Sequence, residues 1–455
     1  MTQFTDLGLA EPILRALSDE GYETPTPIQC EVIPAMIDGR DVLGIAQTGT
    51  GKTAAFTLPI LNRLHTENLR TQPKTCSALI LSPTRELSAQ ILENVRAYGR
   101  HMRVTSTLVV GGVKPGPQIR ALSKGVDVLV ATPGRLLDLM ESGAIRLNQT
   151  STLILDEADQ MLDLGFFPAI RKIVGFLPKK RQTAFLSATM PKPIRALAHE
   201  MLDDPKQVSV APESRPIERI EQSVVLLPKE SKKDLLLELM SDRAVERAIV
   251  FSRTKHGADK INRHLVDYGL KSAAIHGNKS QAQRIKALDG FKTGAVKILV
   301  ATDIAARGID VDNVSHVVNH DLPNIPEAYV HRIGRTARAG KSGVAVSMCE
   351  PGEYEYLRDI ERLTGLDIER VYLGDEDKFL AEAKKATPAA SQKKQQRPAR
   401  KKPFTGGSRP QGQGNGQRQG GGNRGGGSGQ PGGGQSGGGA KRPRRRNRSG
   451  ARTPA

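Results

Sequence analysis

The sequence predicts an α/β protein: two parallel-sheet domains in tandem, followed by a disordered, basic, Gly-rich C-terminal tail. Three observations predict this. Short runs of Val, Ile and Leu alternate with longer segments of helical period over most of the 455 residues, as in a parallel sheet covered by helices on both faces. The alternation breaks once, at DPKQVSVAPESRPIER (204–219), where three prolines and mixed charge read as a linker. Eighteen of the 67 Lys and Arg lie from Lys384 onward with no Asp or Glu among them, which leaves 49 basic against 48 acidic residues elsewhere.

The first domain is expected over 1–207. Its strands are VLGIA (42–46), SALILS (77–82), TSTLVV (105–110), VDVLVA (126–131), STLILD (151–156) and TAFLSA (183–188), with amphipathic stretches such as RELSAQILENVRAYG between them. The linker spans 208–220. The second domain, 221–372, carries AIVFS (248–252), SAAIH (272–276), KILVA (297–301), HVVNH (316–320) and GVAVSM (343–348), and its last helix, EYEYLRDIERLTG, ends near Gly365. No second phosphate loop recurs there, so an internal repeat is at most weak in sequence. From 373 to 455 the chain turns to KKQQRPARKK, Gly/Gln-rich sequence and KRPRRRNR, with Phe404 the one aromatic from Lys384 onward. Such a segment cannot bury enough apolar surface to offset the entropy of ordering. A mobile polycation suits phosphate backbones, from which it releases counterions.

Composition excludes several classes. Cys30, Cys76 and Cys349 show no paired spacing, which argues against a disulfide framework or a zinc site and for a reducing, cytoplasmic setting. The N-terminus has no signal-peptide pattern. No apolar run approaches the ~20 residues of a membrane span, so no membrane partner is expected.

In an open parallel sheet, ligands sit outside the carboxyl ends of the strands, and the chemistry is found there. After VLGIA comes the stretch Ala46, Gln47, Thr48, Gly49, Thr50, Gly51, Lys52, Thr53. Gly49 and Gly51 let the backbone curl so that its N–H groups cradle phosphates. Lys52 can reach the outer phosphates and Thr53 can ligate Mg²⁺. Ala46 stands where the general phosphate-loop pattern has Gly. After STLILD, Asp156, Glu157 and Asp159 crowd three carboxylates into four positions. Such crowding is costly unless a cation faces it. Asp156 is expected to hold Mg²⁺, partly through water, and Glu157 to orient and deprotonate the attacking water of a phosphoryl transfer.

The letters Asp156-Glu157-Ala158-Asp159 carry a resemblance. With GYETPTPIQ (21–29), AQTGTGKT (46–53), PTREL (83–87), GG (111–112), TPGR (132–135), SAT (187–189), VFSRT (250–254), ATDIAARGID (301–310) and HRIGRTAR (331–338), in that order, the chain resembles the DEAD-box ATP-dependent RNA helicases, superfamily 2, from Phe4 to about Gly365. FSRTKHGADK, SAAIHGNKSQAQR and the basic tail are most similar to the bacterial RhlE type. The resemblance implies two tandem RecA-like domains, ATP and Mg²⁺ as cofactors, and RNA as partner.

It also implies residue roles. Gln29 would read the adenine edge, its amide both donating and accepting, and Phe4 would stack on the base. Asp310 would contact the ribose. Arg335 and Arg338, three apart and facing one way at helical spacing, would balance charge on the transferring γ-phosphate; Ala337 replaces a Gly common in relatives. Ser187, Thr189 and His331 would couple hydrolysis to strand separation. Pro83, Thr84, Arg85, Gly112, Thr132, Pro133, Gly134, Arg135, Thr302 and Arg307 would contact RNA through phosphate and 2′-OH groups, with little base readout. The implied function is ATP hydrolysis on RNA-induced domain closure, with local separation of short duplexes. Ribosome assembly or RNA turnover is the implied setting, with factors of those processes as possible protein partners. Two alternatives stand beside it: a DNA-dependent ATPase or translocase, and an RNA chaperone or scaffold acting mainly through its tail.

Overall fold

The computed structural model describes residues 2–47, 49–67, 71–210, 219–306, 314–337 and 342–386. Within them lie two seven-stranded, all-parallel sheets flanked by helices, the two RecA-like domains. The first contains β1 (Val42–Ile45), β2 (Cys76–Leu81), β3 (Ser106–Val109), β4 (Val126–Ala131), β5 (Thr152–Leu155), β6 (Gln182–Ser187) and β7 (Lys206–Ser209), in the order β3-β4-β2-β5-β6-β1-β7. The second contains β8 (Ile220–Leu226), β9 (Ala248–Phe251), β10 (Ser272–Ile275), β11 (Ile298–Ala301), β12 (His316–Asn319), β13 (Gly343–Cys349) and β14 (Glu369–Tyr372), in the order β10-β11-β9-β12-β13-β8-β14. Raising every label of the first order by seven gives the second. The two halves are therefore one topology used twice, a repeat hardly visible in the letters.

Strand burial explains the continuous apolar runs. In β2, Ala78 and Ile80 enter one core while Leu79 and Leu81 enter the core on the opposite face. In β5, Ile154 faces the first core, and Leu153 and Leu155 the second. Side chains alternate with period two, and helices cover both faces, so neither set can be polar.

Three boundaries differ from the sequence expectation. The linker expected at 208–220 begins inside β7, whose Gln207 lies beside Leu43, and ends at the first residue of β8; residues 211–218 lie outside the described chain. The tail expected from 373 begins later. After β14 the chain forms a helix, Glu376–Ala386, that buries Phe379 and Ala383 in the core under the Tyr354–Thr364 helix. That later helix, rather than EYEYLRDIERLTG, is the last one described. EYEYLRDIERLTG itself ends as expected, with Gly365 in the left-handed conformation (φ 68°). The rest of the tail, 387–455 with Phe404, lies outside the described residues.

Candidate active site

Sheet order sorts the site residues before any side chain is considered. The phosphate loop follows β1, the acidic cluster β5 and Ser187-Ala188-Thr189 β6, three neighbouring strands. Pro83, Thr84 and Arg85 follow β2, Gly112 follows β3, and Thr132 to Arg135 follow β4, the three strands on the other side. The carboxyl edge thus carries two adjacent sectors, one with phosphate-loop chemistry and one with small residues and arginines.

Gly49 and Gly51 both take positive φ (86° and 90°), a conformation that costs other residues energy. A Cβ on Gly51 would also overlap the Gln29 amide. Gln29 is buried in the Pro27–Ile37 helix; its Nε2 donates to Gly51 O (3.1 Å) and its Oε1 accepts from Thr26 N (2.9 Å). Gln29 thus caps its helix and props the loop, and keeps one amide hydrogen and one carbonyl lone pair for a ligand. Phe4 is buried, edge-to-face with Tyr22 at 6.3 Å. Lys52 opens the helix Lys52–Glu67, so helix N–H groups and positive dipole end face the loop. Its buried Nζ donates to Ala46 O (2.7 Å), and Thr50 Oγ1 to Gln47 O (2.8 Å). Thr48 lies outside the described residues.

Asp156 and Glu157 are buried, and Asp156 Oδ1 and Glu157 Oε2 have no hydrogen-bond partner. Burial raises the Asp156 pKa against the pull of Lys52. Burial, with Asp156 beside it, pushes Glu157 up to about 7, although Lys52 and Arg335 both favour its charged form. Glu157 also sits at φ 53°, ψ 53°, an uncommon conformation for a non-glycine residue and a form of strain typical of functional positions. Orphaned buried carboxylate oxygens are costly. A cation and a polarised water are the partners that fit them. Among the described residues no group of three or more His, Cys, Asp or Glu could hold a metal. The donor set is therefore poor in protein ligands, as suits Mg²⁺ that is held largely by water and substrate phosphates.

Asp159 has a different role from its neighbours. Its Oδ2 accepts from Ala188 N (3.1 Å), Thr189 N (2.9 Å) and Thr189 Oγ1 (3.1 Å), while Ser187 Oγ donates to Thr189 O (2.8 Å). The acidic cluster is thereby tied to the turn after β6. The sequence expectation named Ser187 and Thr189 but left Asp159 without a role.

In the second domain the helix Pro326–Ile333 carries His331. Arg332, within HRIGRTAR but given no role by sequence, is its anchor. Fully buried, it forks onto Asp303 (2.5 and 2.8 Å), donates to Asn319 Oδ1 (3.2 Å) and Asp321 O (2.6 Å), and lies over Phe251. The helix stops at Ile333 with Gly334 as its cap, so it does not carry Arg335. Arg335 lies past that end, buried, with its Nε donating to His331 O (3.2 Å), and close enough to Glu157 for its charge to act on that carboxyl. Ala337 sits at φ 55°. Arg338, Asp310 and Arg307 lie outside the described residues.

The remaining expected contacts line the other sector. Thr84 caps the Arg85–Tyr98 helix, its side chain accepting from Leu87 N (3.2 Å). Gly112 (φ 76°) has no room for a Cβ, because the Arg85 guanidinium occupies that space. Thr132 precedes Pro133 at the head of the helix Pro133–Glu141, Gly134 faces open space, and Arg135 reaches Val113 O (3.0 Å). In the second domain Thr302 O accepts from Ala305 N and Ala306 N, opening the short turn after β11. Beside this sector the Arg284 guanidinium crosses to Glu86 Oε2 (2.7 Å), and Gln281 Nε2 to Glu86 Oε1 (3.3 Å). None of these three was singled out from sequence.

A family model described as DEAD/DEAH box helicase matches residues 26–197, and one described as Helicase conserved C-terminal domain matches 231–340. The DEAD-box ATP-dependent RNA helicase CshA of Geobacillus kaustophilus is 44% identical over 371 residues, 82% of this chain and 78% of the relative. Its namesake from Bacillus subtilis is 42% identical over 368 residues, 81% and 74% of the two chains. Both carry the CshA name rather than RhlE. The structure of S. cerevisiae Dbp5 bound to RNA and ADP BeF3 superposes with a TM-score of 0.73 at 32% identity, covering 85% of this chain and all of that one.

Proposed function

The chain belongs to the DEAD-box ATP-dependent RNA helicases, RNA-dependent ATPases, and we propose that its hydrolytic site is split between the two domains and complete only when they close on RNA. The observation that carries this reading is Arg335 of the second domain acting on Glu157 of the first. Lys52 leaves Ala46 O for the outer phosphates of ATP. Glu157 takes a proton from the attacking water as its oxygen bonds to the γ-phosphorus, and the bond to the bridging oxygen breaks to release ADP. Arg335, with Arg338, balances charge on the γ-phosphoryl group. Mg²⁺, when bound, would be held by Thr53 and Asp156, partly through water, and would neutralise phosphate charge. Gln29, Phe4 and Asp310 are the adenine and ribose contacts in this reading. Asp159, Ser187, Thr189 and His331 pass the state of the ATP site to the RNA sector.

RNA lies across Pro83–Arg85, Gly112, Thr132–Arg135, Thr302 and Arg307, bound mainly through its backbone. Closure bends one strand and so parts a short duplex. We place the protein in the cytoplasm, acting in ribosome assembly or RNA turnover; the cysteines among the described residues, all free, fit a reducing compartment. The test is steady-state ATP turnover without nucleic acid, with RNA and with single-stranded DNA, using Glu157→Gln as the blank. RNA-selective stimulation lost in Glu157→Gln is the expected result. Equal stimulation by DNA would mean a DNA-dependent translocase. Normal RNA-stimulated turnover by Arg335→Ala would exclude the split site.

A further inference from the structure

No Asp or Glu occurs between Asp163 and Glu200, yet that stretch holds Arg171, Lys172, Lys179, Lys180 and Arg181 within eleven positions. They frame the connection from the helix Phe167–Val174 into β6. Leu177 pins the connection to the core, and Arg181 Nη1 donates to Pro178 O (3.0 Å). Phe176 projects from this anchored turn with 63% of its surface exposed. It is the only large apolar side chain so exposed between Ile119 and Val266 among the described residues. Arg171 is paired with Glu200. Among the described residues Lys172, Lys179 and Lys180 meet no carboxylate within 4 Å. A cavity of about 610 Å³ opens beside the turn, with Lys180, Arg181 and Arg63 in its lining, and the buried Arg181 Nε has no partner.

Cations at a helix C-terminus complement its dipole, which accounts for Arg171 and Lys172. It accounts for neither the lysines beyond the helix end nor the exposed ring. A protein-binding hot spot would surround the ring with further apolar surface, and here the segment that carries it supplies lysines on either side in sequence. One aromatic face among unpaired cations matches single-stranded nucleic acid, which offers bases to stack and phosphates to neutralise.

We propose that Phe176, Lys172, Lys179 and Lys180 form a second single-stranded RNA contact, in which a base stacks on Phe176 and the flanking phosphates meet the lysines. The contact lies at the amino end of β6, whereas Ser187 at its other end stands in the catalytic edge. Six strand residues separate the two by roughly 20 Å. RNA that leaves the cleft and passes around the domain reaches it; an oligonucleotide that only fills the cleft does not. The proposal rests on RNA being the ligand of the chain.

The chain has no tryptophan, so Phe176→Trp places a single reporter at the turn of the full-length protein. Long single-stranded RNA should quench its emission, and a cleft-length oligonucleotide should not. Joint Lys172→Ala, Lys179→Ala and Lys180→Ala should flatten the salt dependence of long-RNA affinity by about 2 in log–log slope, ~0.7 for each lost phosphate contact. ATP turnover stimulated by the cleft-length oligonucleotide should stay unchanged, which separates this contact from the cleft. Emission indifferent to long RNA with an unchanged slope would overturn the proposal. So would quenching by an acidic polypeptide but not by RNA, which would make the patch a protein-docking surface.

Discussion

Arg284 of the second domain and Glu86 of the first form an ion pair at 2.7 Å with side chains only 9% and 4% exposed, across 198 residues of sequence. A pair this buried holds only while both partners are present, because either charge alone is left desolvated. Burial pulls the Arg284 pKa down and Glu86 opposes that pull. Glu86 belongs to the same PTREL segment as Thr84 and Arg85, so the pair ties the second domain to the RNA sector of the first.

Arg284→Ala should therefore impair RNA-stimulated ATP turnover more than basal turnover, by about tenfold or more, from a lost pair worth roughly 2–5 kcal/mol. A double-mutant cycle with Glu86→Ala measures the coupling directly. Additive effects of the two changes would mean the pair does not contribute to closure.

Glu157 has a pH signature. Its native pKa of about 7 lies above the ordinary value of 4.5, so the folded state binds its proton more tightly than the unfolded chain. Stability is therefore lost as pH rises from about 4.5 to about 7, and the deficit stays constant above that. Glu157→Gln should stabilise the ligand-free protein at pH 8, by an amount on the order of 3 kcal/mol, but hardly at pH 4.5. Thermal melts of both proteins across this range test it; an equal gain at both pH values would refute the buried-carboxylate account.

Arg332 has a structural task. Arg332→Ala strips the Asp303 carboxylate and the buried Asn319 Oδ1 of a donor and should destabilise the second domain by about 3–5 kcal/mol. Arg332→Lys cannot reproduce the fork and should recover only part of that. Denaturant unfolding of the three proteins gives the ranking.

Ala337 occupies a left-handed conformation at φ 55°. Ala337→Gly should raise stability by roughly 1 kcal/mol, since the strain relieved exceeds the entropy added to the unfolded chain. A loss of stability in denaturant titration would show that the backbone there relaxes without strain.

Two truncations separate the last helix from the basic tail. Ending the chain after Ala386 should weaken RNA affinity and its salt dependence while leaving the melting temperature nearly intact. Ending it after Leu380 also removes buried Ala383 and half of the Glu376–Ala386 helix, and should lower the melting temperature as well. Equal RNA affinity of full-length and truncated chains would deny the tail a role in binding.

What was legible in the sequence follows burial. Strands β2, β4, β5, β6, β9 and β11 are almost wholly buried and read as runs rich in Val, Ile, Leu and Ala. KQVS of β7, IEQSVVL of β8 and ERVY of β14 did not, because these strands lie at or beside a sheet edge and carry exposed polar residues. The Glu376–Ala386 helix is charged on its surface and buries only Phe379 and Ala383, so its apolar stripe was too short to stand out beside the tail. In the site, Gly49, Gly51, Lys52, Asp156 and Glu157 were legible because phosphate chemistry requires those residue types at that spacing.

The sequence alone determined the two α/β units, the phosphate loop, the acidic cluster after β5 and the segregation of positive charge into the tail. These depend on neighbours within a few residues, or on composition. Only the tertiary structure decided that both sheets share one strand order, that Asp159 holds the turn after β6, that Arg332 forks onto Asp303, and that Glu86 meets Arg284. Each depends on groups from distant strands brought into a low-dielectric interior. There a charge must find its partner, and local sequence carries no record of which partner that is.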